Sequence, residues 1–153
     1  MSAEGRLAEL CIELPPPPQA KGLYRPLVIV GELAYTAGHL PVAADGSPIT
    51  GRIGAELDQA AGYRAARSAG LAILATLRCG LGSLDRVRRV VKVLGAVNCT
   101  AEFDRQPAVI NGCSELLAEV FGPEIGVGAR SAVGVNSLPL GAAVEIEAVF
   151  QIE

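Results

Sequence analysis

The sequence predicts one α+β domain of order ββ-α-β-α-ββ, with two helices covering a single face of the sheet. Three observations carry that prediction. Two β-prone runs meet at a glycine-containing turn early in the chain. Two alanine- and leucine-rich stretches of helical spacing flank a central apolar run, and the chain closes on two segments of strand-like alternation. At 153 residues the whole chain, 1–153, fits one domain, and no repeat, linker or low-complexity stretch divides it. Helices on one face leave the other to be buried elsewhere, which points to subunit association.

Each element follows from local chemistry. RLAELCIEL (6–14) spaces Leu7, Leu10 and Leu14 for one side of a short helix, and the prolines of PPPPQAKG stop it by removing donors and fixing φ. LVIVGELAYTAG (27–38) reads as a hairpin or bulged turn around Gly31-Glu32. AADGSP (43–48) is a loop turning at Asp45-Gly46. From Ala55 to about Arg78 a helix is expected, with Gly80 as its C′ residue and Ala61, Ala65, Ala69 and Ala72 as a small-residue stripe that lets it sit close to a sheet. RVVKVLGAV (89–97) is a strand of largely buried character. Asp104 or Gln106, followed by Pro107, opens a second helix, with Ile110, Cys113, Leu117, Val120 and Phe121 at 3–4 spacing. ARSAVGV (129–135) and AAVEIEAVF (142–150) are strands joined by NSLPLG.

Composition narrows the function classes. Three tyrosines, three phenylalanines, no tryptophan and a formal charge of −3 argue against nucleic acid as a partner. The one dense basic stretch, RVRRVVK (86–92), reads as a solvated strand face or edge guard, with an anion-binding patch as the alternative. The N-terminus has no apolar run like a signal peptide, and no stretch is long enough to span a bilayer, so a soluble, cytoplasmic protein without membrane contact is expected. Cys11, Cys79, Cys99 and Cys113 are scattered and there is one histidine, so buried free thiols and no metal site are expected.

The candidate site begins with GVGARSAVGV (126–135), where Arg130 stands among small and apolar residues. Alternation puts Arg130, Ala132 and Gly134 on one face of their strand. In the next strand Val144, Ile146, Ala148 and Phe150 form a core face, with Glu145 and Glu147 opposite. If the two strands pair, the arginine and both carboxylates share a surface. That surface is either a cross-strand salt bridge or a small-anion site, since a guanidinium fork matches a carboxylate. Periodicity does not choose between them.

The stretch G-A-R-S-A-V-G-V…L-P…V-E-I-E resembles the signature of the Rid/YjgF family, the RidA-like imine deaminases also labelled the L-PSP endoribonuclease family. Two further blocks agree: Tyr24…Gly31…T-A-G-H-L-P (36–41), and VKVLGAVNCTAEF (91–103) followed by Asn111. The resemblance runs from the Pro18 region to the end. It leaves residues 1–17, a short helix and polyproline lead-in, as an N-terminal extension typical of a longer-headed subgroup.

The resemblance implies a chorismate-mutase-like fold, a homotrimer and ligand sites in clefts between subunits. It implies hydrolysis of 2-imino acids or their enamine tautomers, such as 2-aminoacrylate, to 2-keto acids and ammonia without a cofactor. Arg130 would bind the substrate carboxylate, and Glu145 would orient water. Tyr24 from the adjacent subunit, Ala37, Asn111 and the backbone near Ala132 would line the pocket. Three positions depart from the family pattern: Ala37 stands for a serine, His39 for a glutamine and Ala132 for a cysteine. The alternative on the same trimeric fold is a non-catalytic module that binds or senses small carboxylates.

Overall fold

The computed structural model describes all 153 residues and contains helices α1 (Ala3–Glu9), α2 (Gln59–Leu81), α3 (Gln106–Phe121) and the single-turn α4 (Pro123–Gly126). Its strands are β1 (Leu27–Val30), β2 (Leu33–Thr36), β3 (Val87–Asn98), β4 (Ala129–Val135) and β5 (Val144–Ile152). They form one mixed sheet of order β1-β2-β5-β3-β4, in which only the β3–β4 pair is parallel. The architecture is the expected α+β one, preceded by α1.

The hairpin turns at Gly31, whose φ of +59° is the left-handed value that primed hairpin turns require. Helix α2 begins four residues later than expected. Asp58 is its N-cap, accepting from the Ala61 backbone N–H at 2.8 Å. It also runs past Gly80 and ends at Gly82, whose φ is +83°. Gly80 is small for another reason: a Cβ there would run into the Leu27 side chain. In α3 Pro107 falls in the first turn as expected, but Arg105 occupies the N-cap position and no side chain caps the helix. Gln106 instead donates to the Phe103 carbonyl.

The core lies between the helices and one sheet face. Phe150, Ile146 and Val144 of β5 and Val93 and Val97 of β3 meet Ile73, Leu74 and Leu77 of α2 and Ile110, Leu116 and Leu117 of α3. Ala65, Ala69 and Ala72 are buried as expected, and Ala61 is half-buried. The two helices also approach each other closely, because a Cβ at Gly112 of α3 would collide with the Tyr63 carbonyl of α2. The opposite sheet face carries no helix and leaves Val28, Tyr35 and Val133 exposed.

Four local expectations are corrected. The N-terminal helix starts at Ala3, capped by Ser2, and stops at Glu9, with Cys11 at φ +52°. Its Ala3 and Leu7 enter the core while Leu10 stays exposed. Its Glu4 forms a two-pronged ion pair with Arg78 of α2. In strand β3 buried residues alternate with half-buried ones in the second half, while Arg88, Arg89 and Val91 of the first half are exposed. These precede the pairing with β4, which begins at Lys92, so the basic stretch is a solvated strand face. Arg88 pairs with Glu153, and Arg86 donates to the Leu81 and Glu153 carbonyls. Of the four free cysteines, only Cys99 and Cys113 are buried. Finally, β4 and β5 do not pair, since β3 lies between them.

Candidate functional site

Arg130 projects from β4, an edge strand, directly opposite Val93 of β3. Val93 in turn faces Ala148, so the guanidinium lies on the helix-covered side of the sheet. There α3 presents Asn111 and Ser114, three residues apart and therefore on one face. Arg130 Nη1 donates to Asn111 Oδ1 at 2.8 Å and to Ser114 Oγ at 3.0 Å. Both partners are neutral, and Arg130 belongs to none of the ion pairs of the chain. The other donors of its fork, Nε and Nη2, make no hydrogen bond within the chain. Ala132 and Gly134, next along this side of β4, add little volume; Ala132 packs against the core. The neighbouring Cys113 thiol is pushed up to about 12 by burial, against the pull of the Arg130 charge, so it is no thiolate nucleophile near neutral pH.

Tyr24 and Ala37 meet elsewhere. They line a cavity of about 160 Å³ with Gly38, His39 and residues of the N-terminal segment. Gly38 is glycine because the Glu145 carboxylate lies where its Cβ would be. That contact places Glu145 against the backbone of the cavity wall. Burial first, and the charge of Glu147 second, raise the Glu145 carboxyl above its ordinary value. His39 is almost fully buried. Its Nδ1 donates to the Ala37 carbonyl at 2.7 Å, and the Thr76 hydroxyl donates to Nε2 at 2.7 Å. Burial lowers its pKa, which favours this neutral tautomer. A reciprocal pair of backbone bonds between His39 and Ile146 ties the same loop to β5.

The sequence-predicted residues therefore form two groups in one chain. Arg130, Asn111 and Ala132 are together, and Tyr24, Ala37 and Glu145 are together. Glu145 lies opposite Ala96, on the helix-free face, whereas Arg130 lies on the helix side. The expectation that Arg130 shares a surface with Glu145 and Glu147 is overturned, because insertion of β3 puts the two strands in a different register from direct pairing. The cross-strand salt bridge falls with it. Sequence reasoning missed Ser114, although its spacing from Asn111 was a usable signal, and it missed Gly38, whose size only the tertiary contact explains. No three His, Cys, Asp or Glu side chains converge as a metal-binding group, and no helix is long and apolar enough to cross a membrane.

Residues 4–149 match the family model described as "YjgF/chorismate_mutase-like, putative endoribonuclease". The chain belongs to the YjgF family. The match reaches back to residue 4, farther than the motifs quoted above. Among YjgF-family relatives, the Trypanosoma cruzi protein TCP17 is 41% identical over 154 residues, covering 98% of this chain and 96% of that protein. A crystallised protein from Agrobacterium tumefaciens is 42% identical, with a TM-score of 0.88 over 99% of this chain and 94% of that one. RidA from an Antarctic Psychrobacter is 28% identical, with a TM-score of 0.62 over 89% of this chain and 94% of its own. The fold is thus the YjgF/chorismate-mutase-like one.

Proposed function

We propose that this protein hydrolyses 2-imino acids or their enamine tautomers to 2-keto acids and ammonia, at sites completed between copies of the chain. One observation carries the reading: a half-buried arginine, oriented by two neutral side chains, with no carboxylate of its own chain to pair with. A guanidinium held this way is a pre-oriented receptor for a small carboxylate. Relatedness to RidA supports the imine as the group beside that carboxylate.

Division of the residues into two groups supports a site that spans subunits. Arg130, Asn111 and Ser114 of one copy would hold the substrate carboxylate. Glu145, with Tyr24 and the Ala37–Gly38 backbone, would come from the next. The exposed Val28, Tyr35 and Val133 of the helix-free face supply an apolar surface for that association, and a homotrimer closes it. As an edge strand, β4 also offers unpaired backbone groups near Ala132 to the substrate.

In the reaction, Glu145 accepts a proton from water as the oxygen adds to the carbon of the protonated imine. Its raised pKa makes it a stronger base than an ordinary carboxylate. The tetrahedral adduct carries hydroxyl and amino groups on one carbon. Return of that proton from Glu145 to nitrogen lets ammonia leave, and the hydroxyl gives its own proton to Glu145 as the keto carbonyl forms. One water is consumed and no redox change occurs. Arg130 holds the carboxylate throughout.

A second reading, a carboxylate sensor without turnover, is favoured by Ala37. It brings no hydroxyl to the cavity, and its carbonyl is already occupied by His39. Ammonia and keto-acid release from freshly generated 2-imino acids tests both readings, with wild type and Arg130→Ala compared at equal oligomer content. The deaminase reading expects turnover, with kcat/KM lowered about 100-fold or more by the substitution. No turnover by folded, assembled wild type, together with thermal stabilisation by small carboxylates, would establish the sensor.

A further inference from the structure

We infer that the cavity beside Glu145 selects imino acids with a bulky, mainly apolar side chain, and that the N-terminal segment is the wall that does the selecting. The inference rests on the proposed carboxylate-and-imine site and adds the substrate class.

The first argument is size. An apolar cavity of roughly 150 Å³ takes a molecule the size of benzene, so one of about 160 Å³ has room for a group of that bulk. The methylene of 2-aminoacrylate, or the methyl of its imine tautomer, would fill only a small part of it. A branched or aromatic side chain would fill much more.

The second argument is lining. Pro18 and Pro26 from the N-terminal segment face Leu40, Pro41 and Pro48 of the following loop, with Leu140 among the lining residues. Prolines present rings without donors and lose little freedom on binding, so this wall is pre-organised for an apolar group. Leu140 is held at φ +59°, a conformation unfavourable for a leucine, and 63% of its surface remains exposed. Strain that holds an apolar side chain uncovered at a cavity fits a contact made only when ligand is present.

The third argument is anchorage. The wall is fixed at both ends. Upstream, α1 is locked by Ala3 and Leu7 in the core and by Glu4, which also accepts from the Leu84 backbone N–H at 3.0 Å. Downstream, the segment enters β1 and the sheet. Residues 18–26 are thus a strap across a cavity whose Gly38 wall is in contact with Glu145. The extension of residues 1–17 serves as the upstream anchor of that strap through α1.

Polar groups in the lining set the competing outcome. Gln19 and Lys21 are both exposed, and the Lys21 ammonium has no ion-pair partner in the chain. Were Lys21 the dominant contact, a second carboxylate would be preferred over an apolar group.

The test compares kcat/KM for imines generated from leucine, alanine and glutamate. In parallel, calorimetry measures binding of 4-methyl-2-oxopentanoate, pyruvate and 2-oxoglutarate. Wild type should favour the leucine-derived imine over the alanine-derived one by roughly tenfold or more, with the same order in keto-acid affinity. Gln19→Trp, at an exposed position without hydrogen bonds, should fill the cavity and reduce that ratio to near unity. Equal use of leucine and alanine imines, or preference for the glutamate series, overturns the inference. So does an unchanged ratio in Gln19→Trp. Absence of turnover with the keto-acid preference intact sinks the deaminase reading and leaves the apolar wall standing. Absence of both turnover and keto-acid binding overturns the wall as well.

Discussion

Single side chains decide how the loop behind Glu145 is held. His39 spends both ring nitrogens on it, one donating to the Ala37 carbonyl and one accepting from Thr76. Burial lowers its pKa below the ordinary 6.5, so the unfolded chain binds a proton that the folded one resists. Its contribution is therefore fully present above about pH 6.5 and is lost as pH falls through that value toward the lowered folded one. Glu145 works in the opposite sense: its raised pKa contributes stability at low pH that is lost as pH rises through it. Comparison with His39→Gln isolates the histidine, because the amide can still donate to Ala37 but does not titrate. Melting temperatures between about pH 8 and pH 5 should show wild type losing stability relative to His39→Gln as pH falls. Parallel curves would mean that the imidazole is not coupled to folding. His39→Ala, by leaving a buried hydroxyl and carbonyl without partners, should cost about 1–3 kcal/mol.

Helix α3 is the element that couples packing to the proposed site. Asn111 and Ser114 orient Arg130, and Gly112 lies between them with the Tyr63 carbonyl of α2 where a Cβ would go. Gly112→Ala meets rigid backbone rather than a movable side chain, so α3 must shift away from α2. Urea unfolding should show a loss of about 2–3 kcal/mol, and carboxylate affinity should fall further than the residual stability explains. A neutral Gly112→Ala would show that the helices accommodate a methyl and that Arg130 is held by other means. The same element shows which parts of the chain were legible in sequence. The apolar spacing of α3 and the alternation of β5 report burial directly, so their existence and buried faces could be read. Strand order could not be read that way. Two alternating segments close in sequence suggest a hairpin, yet the chain places β4 parallel to β3 after the α3 crossover. A strand-helix-strand reading of 87–135 was the available signal. Gly80 misled for a similar reason, because a glycine that makes room for Leu27 looks in sequence like one that ends a helix.

Whole-molecule geometry carries the strongest test of the proposed site. Within one chain Arg130 and Glu145 lie on opposite sides of the sheet, and the cavity with Tyr24 and Ala37 belongs to the Glu145 side. Sequence alternation placed each residue on a face of its own strand but carried no information on the strand between them, nor on which copy would complete the cleft. If Arg130 of one copy serves Glu145 of the next around a closed ring, each site takes one half from each of two chains. Arg130→Ala and Glu145→Gln should then each abolish most turnover alone. Unfolding and refolding the two variants together at equal amounts should restore it in part. A site is intact when its arginine comes from the Glu145→Gln chain and its glutamate from the Arg130→Ala chain, so random assembly gives about one quarter of wild-type activity. Were both halves supplied by a single chain, every site in the mixture would keep one defect, and mixing would restore nothing. Partial recovery near that fraction therefore identifies a shared site, and it does so without a liganded structure.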